Sequence, residues 1–176
     1  ALGEAQDWST LTPWLCNDDC EVHSLDLWSL PHRGAASWSA AASSINRHVA
    51  RLPGTHVIAG YSLGGRMALH ALKQQPRLWH AAALISTHPG LTCPKQRARR
   101  RVQDQRWFHL SQSAPERFWQ LWHAQPVFAN SPFPDAWKHH RQLEIPTGPA
   151  HASFITWSLG NQAPFHAWLR KPPMPL

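Results

Sequence analysis

The chain has 176 residues, 43% hydrophobic and 15% charged, which is the balance of a folded domain with a core rather than of a disordered polymer. Lys and Arg number 17 against 10 Asp and Glu, a formal charge of +7, so an anionic partner is expected: nucleic acid, a membrane surface or a small acidic substrate. No apolar run approaches the ~20 residues of a membrane span, and the opening ALGEAQDW has no basic or apolar signal region, so no span and a cytoplasmic location are expected.

The predicted elements follow in chain order. Cys16 and Cys20 come first, with Cys93 far downstream. Their spacing forms no zinc pattern, so reduced thiols and no metal are expected. EVHSLDLWSLP, Glu21 to Pro31, alternates as a strand running into a loop. SWSAAASSINRHVARL, Ser37 to Leu52, has the alanines and apolar spacing of a helix, broken by Pro53 to Thr55. HVIAGY, His56 to Tyr61, is β-prone. LGGRMALHALKQQP, Leu63 to Pro76, reads as a helix that stops before its proline, and WHAAALIS, Trp79 to Ser86, as a buried strand. Strand, helix, strand, helix, strand implies an α/β fold with a parallel sheet.

After THPGL, Thr87 to Leu91, the pattern changes. From Lys95 to about Leu169 the chain reads as helix-like segments punctuated by Pro and Gly, which fits a helical cap over the carboxyl edge of the sheet. KQRARRR, Lys95 to Arg101, concentrates five cations there. KPPMPL, Lys171 to Leu176, has the look of an approach to another strand.

The chemistry concentrates in GYSLG, Gly60 to Gly64. A serine between glycines, where a strand becomes a helix, is the pattern of a nucleophile elbow. The turn is strained, the glycines allow strand and helix to pack closely, and the hydroxyl stands near a helix N-terminus with its free N–H groups and positive dipole end. The N–H of Leu63 can then donate to an oxyanion. The alternative is an ordinary glycine-rich turn in which Ser62 is only an N-cap. Arg66 follows one helical turn later, suited to a bidentate grip on a carboxylate or, alternatively, to a solvated helix surface.

Beyond this motif, ALGEAQDW (Ala1 to Trp8), GYSLGGRMAL (Gly60 to Leu69), STHPGL (Ser86 to Leu91), RRVQDQRW (Arg100 to Trp107) and FWQLWHAQPVF (Phe118 to Phe128) carry a more specific likeness. The chain resembles α/β-hydrolase-fold enzymes, and within them the 2-succinyl-6-hydroxy-2,4-cyclohexadiene-1-carboxylate synthases of menaquinone biosynthesis. The resemblance implies an α/β-hydrolase fold, in part, with a helical cap. It places the core at residues 1–92, the cap at 93–169 and the start of the remaining core at 170–176. It implies a carbon–oxygen lyase that eliminates pyruvate from a substrate with several carboxylates, with no cofactor and no metal. Ser62 would belong to the base system. The backbone N–H groups of Leu63 and Ala1 would form the oxyanion hole. Arg66, Arg100, Tyr61 and Trp122 would bind the substrate, a small anion; the alternatives are a solvated charge run for Arg100 and core packing for Tyr61 and Trp122.

The chain departs from that family in three respects. HHRQLEIPTG, His139 to Gly148, lacks the cap arginine where Leu143 aligns, although Arg141 is near. The usual His-Gly before Ala1 is absent. The triad order Ser, Asp/Glu, His places the last two after KPPMPL, and none of the 13 histidines, His166 included, substitutes convincingly. The expectation is a fragment lacking both ends and nearly inactive alone. Two rivals remain at this stage. An esterase or thioesterase would use the same elbow for acyl transfer, and a nucleic-acid-binding protein would use the basic run without using the elbow.

Overall fold

A computed structural model describes residues 5–16, 19–29, 37–128 and 149–176. The chain divides into two compact units: Ala1–Pro89 with Pro164–Leu176, and Gly90–Ala163.

The first unit is built on a short parallel sheet. A short helix, α1, spans Thr12–Leu15. Helix α2, Trp38–Val49, starts where the Ser37 hydroxyl accepts a hydrogen bond from Ala40 N at 3.1 Å, satisfying an otherwise unpaired N–H of the first turn. It buries Ala41, Ala42, Ile45 and Val49 at the spacing of one helical face. Strand β1, His56–Tyr61, leads directly into helix α3, Leu63–Gln74. A 3₁₀ turn at Pro76–Leu78 connects α3 to strand β2, Trp79–Ile85. β1 and β2 pair in parallel, with Gly60 opposite Leu84 and Tyr61 opposite Ile85. The parallel arrangement follows from the intervening helix, which returns the chain to the same end of the sheet.

One buried side chain ties these elements together. Asn46 of α2 is 0% exposed. Its amide donates to the Ala71 carbonyl of α3 and to Gln74 Oε1, both at 3.1 Å, and its oxygen accepts from Trp79 Nε1 of β2 at 3.0 Å. A buried amide is tolerated because its donors and acceptor are used. The chain end also returns to the sheet. Ala82 N of β2 donates to the Pro175 carbonyl at 3.0 Å, and Phe165 N donates to the Pro89 carbonyl at 2.7 Å. KPPMPL itself forms no strand, and Pro175 meets β2 through that one bond.

The stretch from Glu21 to Pro31 is a correction. Among its described residues, 21–29, there is no strand. An Asp26 side chain that accepts from Trp28 N at 2.9 Å turns the chain instead. Alternation specifies which side chains share a face but supplies no neighbouring strand to pair with.

The second unit is helical. Helix α4 spans Pro94–Ser113 and α5 spans Pro115–His123, followed by a 3₁₀ turn at Pro126–Phe128 and helix α6, Pro149–Thr156. Each of these begins on a proline, whose fixed φ and missing N–H suit the first helical position. α4 packs on α5 and α6 around an aromatic cluster of Trp107, Phe118, Trp122 and Phe154. A last short helix, α7, His166–Leu169, belongs to the first unit. Among the described residues, no helix is long and apolar enough to cross a membrane.

Candidate active site

The residue after each strand has a positive φ: 51° at Ser62 and 49° at Ser86. Ser62 combines that value with ψ −107°, outside the left-handed helical well. A non-glycine residue held there stores on the order of 1–3 kcal/mol of strain, which the surrounding contacts must impose. The backbone contacts are visible. Ser62 N donates to the Ile85 carbonyl at the end of β2, at 2.9 Å, and the Ser62 carbonyl accepts from Arg66 N at 3.1 Å as the first bond of α3.

The close approach of β1 and α3 depends on Gly60 and Gly65. A Cβ on Gly60 would lie 2.6 Å from Gly65 Cα and N, and one on Gly65 would collide with the Thr87 hydroxyl. Gly64, the second glycine of the motif, faces open space. The sequence motif therefore points to the right turn but assigns the packing to the wrong second glycine.

The Ser62 side chain makes no N-cap hydrogen bond. The N-cap alternative is thereby removed: the hydroxyl stands at the carboxyl end of the parallel strands and caps no helix N–H. Leu63 is the first residue of α3, so its N–H has no intrahelical acceptor. Tyr61 ends β1 with 55% exposure. Ala1 lies outside the described residues, as do Arg141 and Leu143.

Arg66 is buried, at 9% exposure, on a helix otherwise packed against α2 and the strands. Its guanidinium lies over the Trp38 ring of α2, 5.0 Å from the centroid. The solvated-helix alternative is therefore excluded. On the next turn, His70 stacks on Trp38 at 4.8 Å and meets Phe165 edge-on at 4.7 Å. Burial lowers the His70 pKa to about 4, and the charges of Lys73 and Arg66 push the same way, so this ring is neutral near neutrality.

In the helical unit, Arg100 and Trp122 occupy different environments. Trp122 stacks on Phe118 at 5.6 Å and meets Trp107 and Phe154 edge-on at 5.3 and 5.4 Å, inside the aromatic cluster. Arg100 Nε donates to Asp104 Oδ1 at 2.8 Å. Its neighbours in the basic run are differently engaged: Arg97 Nε and Arg101 Nη1 each donate to the Gly160 carbonyl at 3.0 Å. The run is therefore not one uniform charged surface. Among the described residues, no group of His, Cys, Asp and Glu is placed to hold a metal ion.

Two residues that hold the candidate arginines were missed in the sequence. Trp38 carries no local signal toward Arg66, because the contact joins separate helices. Asp104 does carry one, its four-residue spacing from Arg100 on a helix.

A strained serine between a parallel strand and a helix, with its hydroxyl not spent on a cap bond, defines a class. The alpha/beta hydrolase family matches residues 3–176, and the chain belongs to it. More particular relatives are the 2-succinyl-6-hydroxy-2,4-cyclohexadiene-1-carboxylate synthases of Escherichia coli O1:K1 and Escherichia fergusonii, each 38% identical over 74 residues. That alignment takes in 42% of this chain and 29% of the relative, so the match spans under a third of the relatives' length. MenH from S. aureus superposes with a TM-score of 0.84 over 99% of this chain and 69% of its own, at 18% identity, a likeness of fold. These are relatives of the kind the sequence motifs resembled.

Proposed function

We propose that the protein is a carbon–oxygen lyase of the alpha/beta hydrolase family. It eliminates pyruvate from a cyclohexene substrate with several carboxylates, giving 2-succinyl-6-hydroxy-2,4-cyclohexadiene-1-carboxylate in menaquinone biosynthesis. The observation that carries the reading is Ser62: a strained elbow residue whose hydroxyl makes no cap bond, in a chain whose curated relatives include synthases of that name. In this reading Ser62, polarised by a histidine, removes a proton from the ring carbon. The electron pair forms the ring double bond, the C–O bond breaks, and the oxygen departs with pyruvate. The N–H of Leu63, with that of Ala1, stabilises the negative charge that develops. Arg66 and Arg100 take substrate carboxylates, and Tyr61 and Trp122 shape the binding surface. The substrate is a small anion, no cofactor takes part, and the protein works in the cytoplasm.

The test is pyruvate formation by the intact protein in a coupled assay. Ser62→Ala is expected to abolish it, because the variant removes the group that moves the proton. Arg66→Ala is expected to lower kcat/KM by about 30-fold or more, the usual effect of losing one buried partner of a carboxylate. Near-wild-type pyruvate release by Ser62→Ala overturns the assigned role. Rapid hydrolysis of simple esters without pyruvate release points to acyl transfer at the same elbow.

A further inference from the structure

We infer that Asp104 is a positioning residue, a buried carboxylate that holds Arg100 by one nitrogen so that the rest of its guanidinium can take a carboxylate of an anionic ligand. The inference deepens the reading given under Proposed function and rests on it for the ligand class.

Helix α4 has 20 residues, and the side chains it buries are Asp104 and Ser111. Asp104 is 2% exposed. Its Oδ1 accepts from Arg100 Nε at 2.8 Å, while Oδ2 is buried with no hydrogen-bond partner among the described residues. Arg100 is different: its side chain is 39% exposed. Its one recorded bond uses Nε, so the terminal amino groups keep their donors uncommitted among the described residues.

Helix stability does not explain this pair. Burying a carboxylate costs several kcal/mol, and a single ion pair seldom recovers it; an apolar side chain of similar volume is often as good or better. The order is also the poorer one, since a cation N-terminal to an anion at this spacing opposes the helix dipole. Nor is the geometry that of a closed pair. A bidentate grip would satisfy both carboxylate oxygens and consume the arginine fork. A single Nε contact instead fixes the plane of the guanidinium and leaves its outer edge available. The neighbouring Arg97 and Arg101 show the alternative, since both are used to fasten the Gly160 carbonyl. The planar, forked donor set left on Arg100 matches a carboxylate.

The test uses the intact protein with succinate as a plain dicarboxylate probe, measured by calorimetry, and pyruvate release measured separately. Asp104→Asn is expected to weaken succinate binding about tenfold and to raise KM similarly, with kcat within about twofold. Arg100→Ala is expected to weaken binding further. The double variant is expected to match Arg100→Ala alone, because Asp104 acts through that arginine. Asp104→Leu separates positioning from structure: it is expected to melt at or above the wild-type temperature yet bind as weakly as Asp104→Asn. Unchanged binding in Asp104→Asn and Asp104→Leu, full additivity in the double variant, or no succinate binding by the wild type would each overturn the inference. Succinate binding with the expected pattern but no pyruvate release would instead overturn the proposed reaction and leave this role standing.

Discussion

Helices α3 and α4 carry the two candidate arginines, and they are held in place by different forces. α3 buries Leu63, Met67, Ala68, Leu69, Ala71 and Leu72, and its arginine lies under that packing against a tryptophan face. α4 buries a carboxylate and a hydroxyl; beside the packing of its Trp107 on Phe118 and Trp122, Arg97 and Arg101 fasten it to a backbone carbonyl. Apolar burial is non-directional and adds with area, so α3 is fixed by shape. Hydrogen bonds are directional and singly modest, so the polar part of what fixes α4 rests on a few specific contacts. The first kind of helix is expected to fail when volume is added. The second is expected to fail when a partner is removed.

The largest expected effect therefore lies at Gly60. A methyl group there meets the backbone of Gly65, which cannot rotate away, so the strand and α3 must separate. Gly60→Ala is expected to destabilise the intact protein by about 3 kcal/mol or more. Gly64→Ala, whose methyl faces open space, is expected to change stability by no more than about 0.5–1 kcal/mol, and in the stabilising direction. Denaturant midpoints for the two variants check this. Equal losses at both positions would show that the motif glycines, rather than the Gly60–Gly65 contact, set the packing.

That comparison also shows what the sequence carries. The spans of α2, β1, α3 and β2 were legible because apolar period and Gly or Pro punctuation are local properties. Ser62 was legible because a strained turn needs a particular short pattern. The role of Gly65 was not, since two adjacent glycines look alike until the strand lies across one of them. The cation–π contact of Arg66 depends on Trp38, which is 28 positions away in the chain and on another helix. Glu21 to Pro31 failed for a related reason: a strand exists only with a partner, and alternation does not name one. Asp104 lies between these cases, because its spacing was local but its burial was not.

His70 gives an intermediate effect and probes α3 by charge rather than by volume. Its pKa is lowered from 6.5 to about 4 by burial first, then by Lys73 and Arg66. The unfolded chain therefore takes up the proton before the folded one as pH falls. Stability is full above about pH 6.5, declines toward pH 4 and levels off below. The ring is partly exposed, which keeps the loss on the order of 1–3 kcal/mol. His70→Phe retains an aromatic ring between Trp38 and Phe165 and removes the titration. Its denaturation midpoint is expected to depend less on pH between 7.5 and 4.5 than that of the wild type (a window of about 3 units around the two pKa values). Parallel curves for the two proteins would show that other groups carry the acid sensitivity.

The smallest effects are expected in α4, and their pattern is more informative than their size. The Gly160 carbonyl accepts from both Arg97 and Arg101, and a Cβ at Gly160 would sit 2.5 Å from the Arg97 carbonyl oxygen. The chain approaches α4 too closely for water to replace both donors easily. Arg97→Ala leaves Arg101 on the carbonyl, and the reverse holds for Arg101→Ala, so each single change is expected to cost only about 0.5–1 kcal/mol. The double change leaves the carbonyl without either donor. It is expected to cost more than the sum of the singles, by about 1 kcal/mol of coupling, because the last donor is worth more than the first. The measurement is a double-mutant cycle on the denaturation midpoint of the intact protein. Strict additivity would mean that the two arginines contribute as independent surface charges. α4 would then be held by its own Trp107 packed on Phe118, as α3 is held by its own apolar face, and the contrast between the helices would disappear.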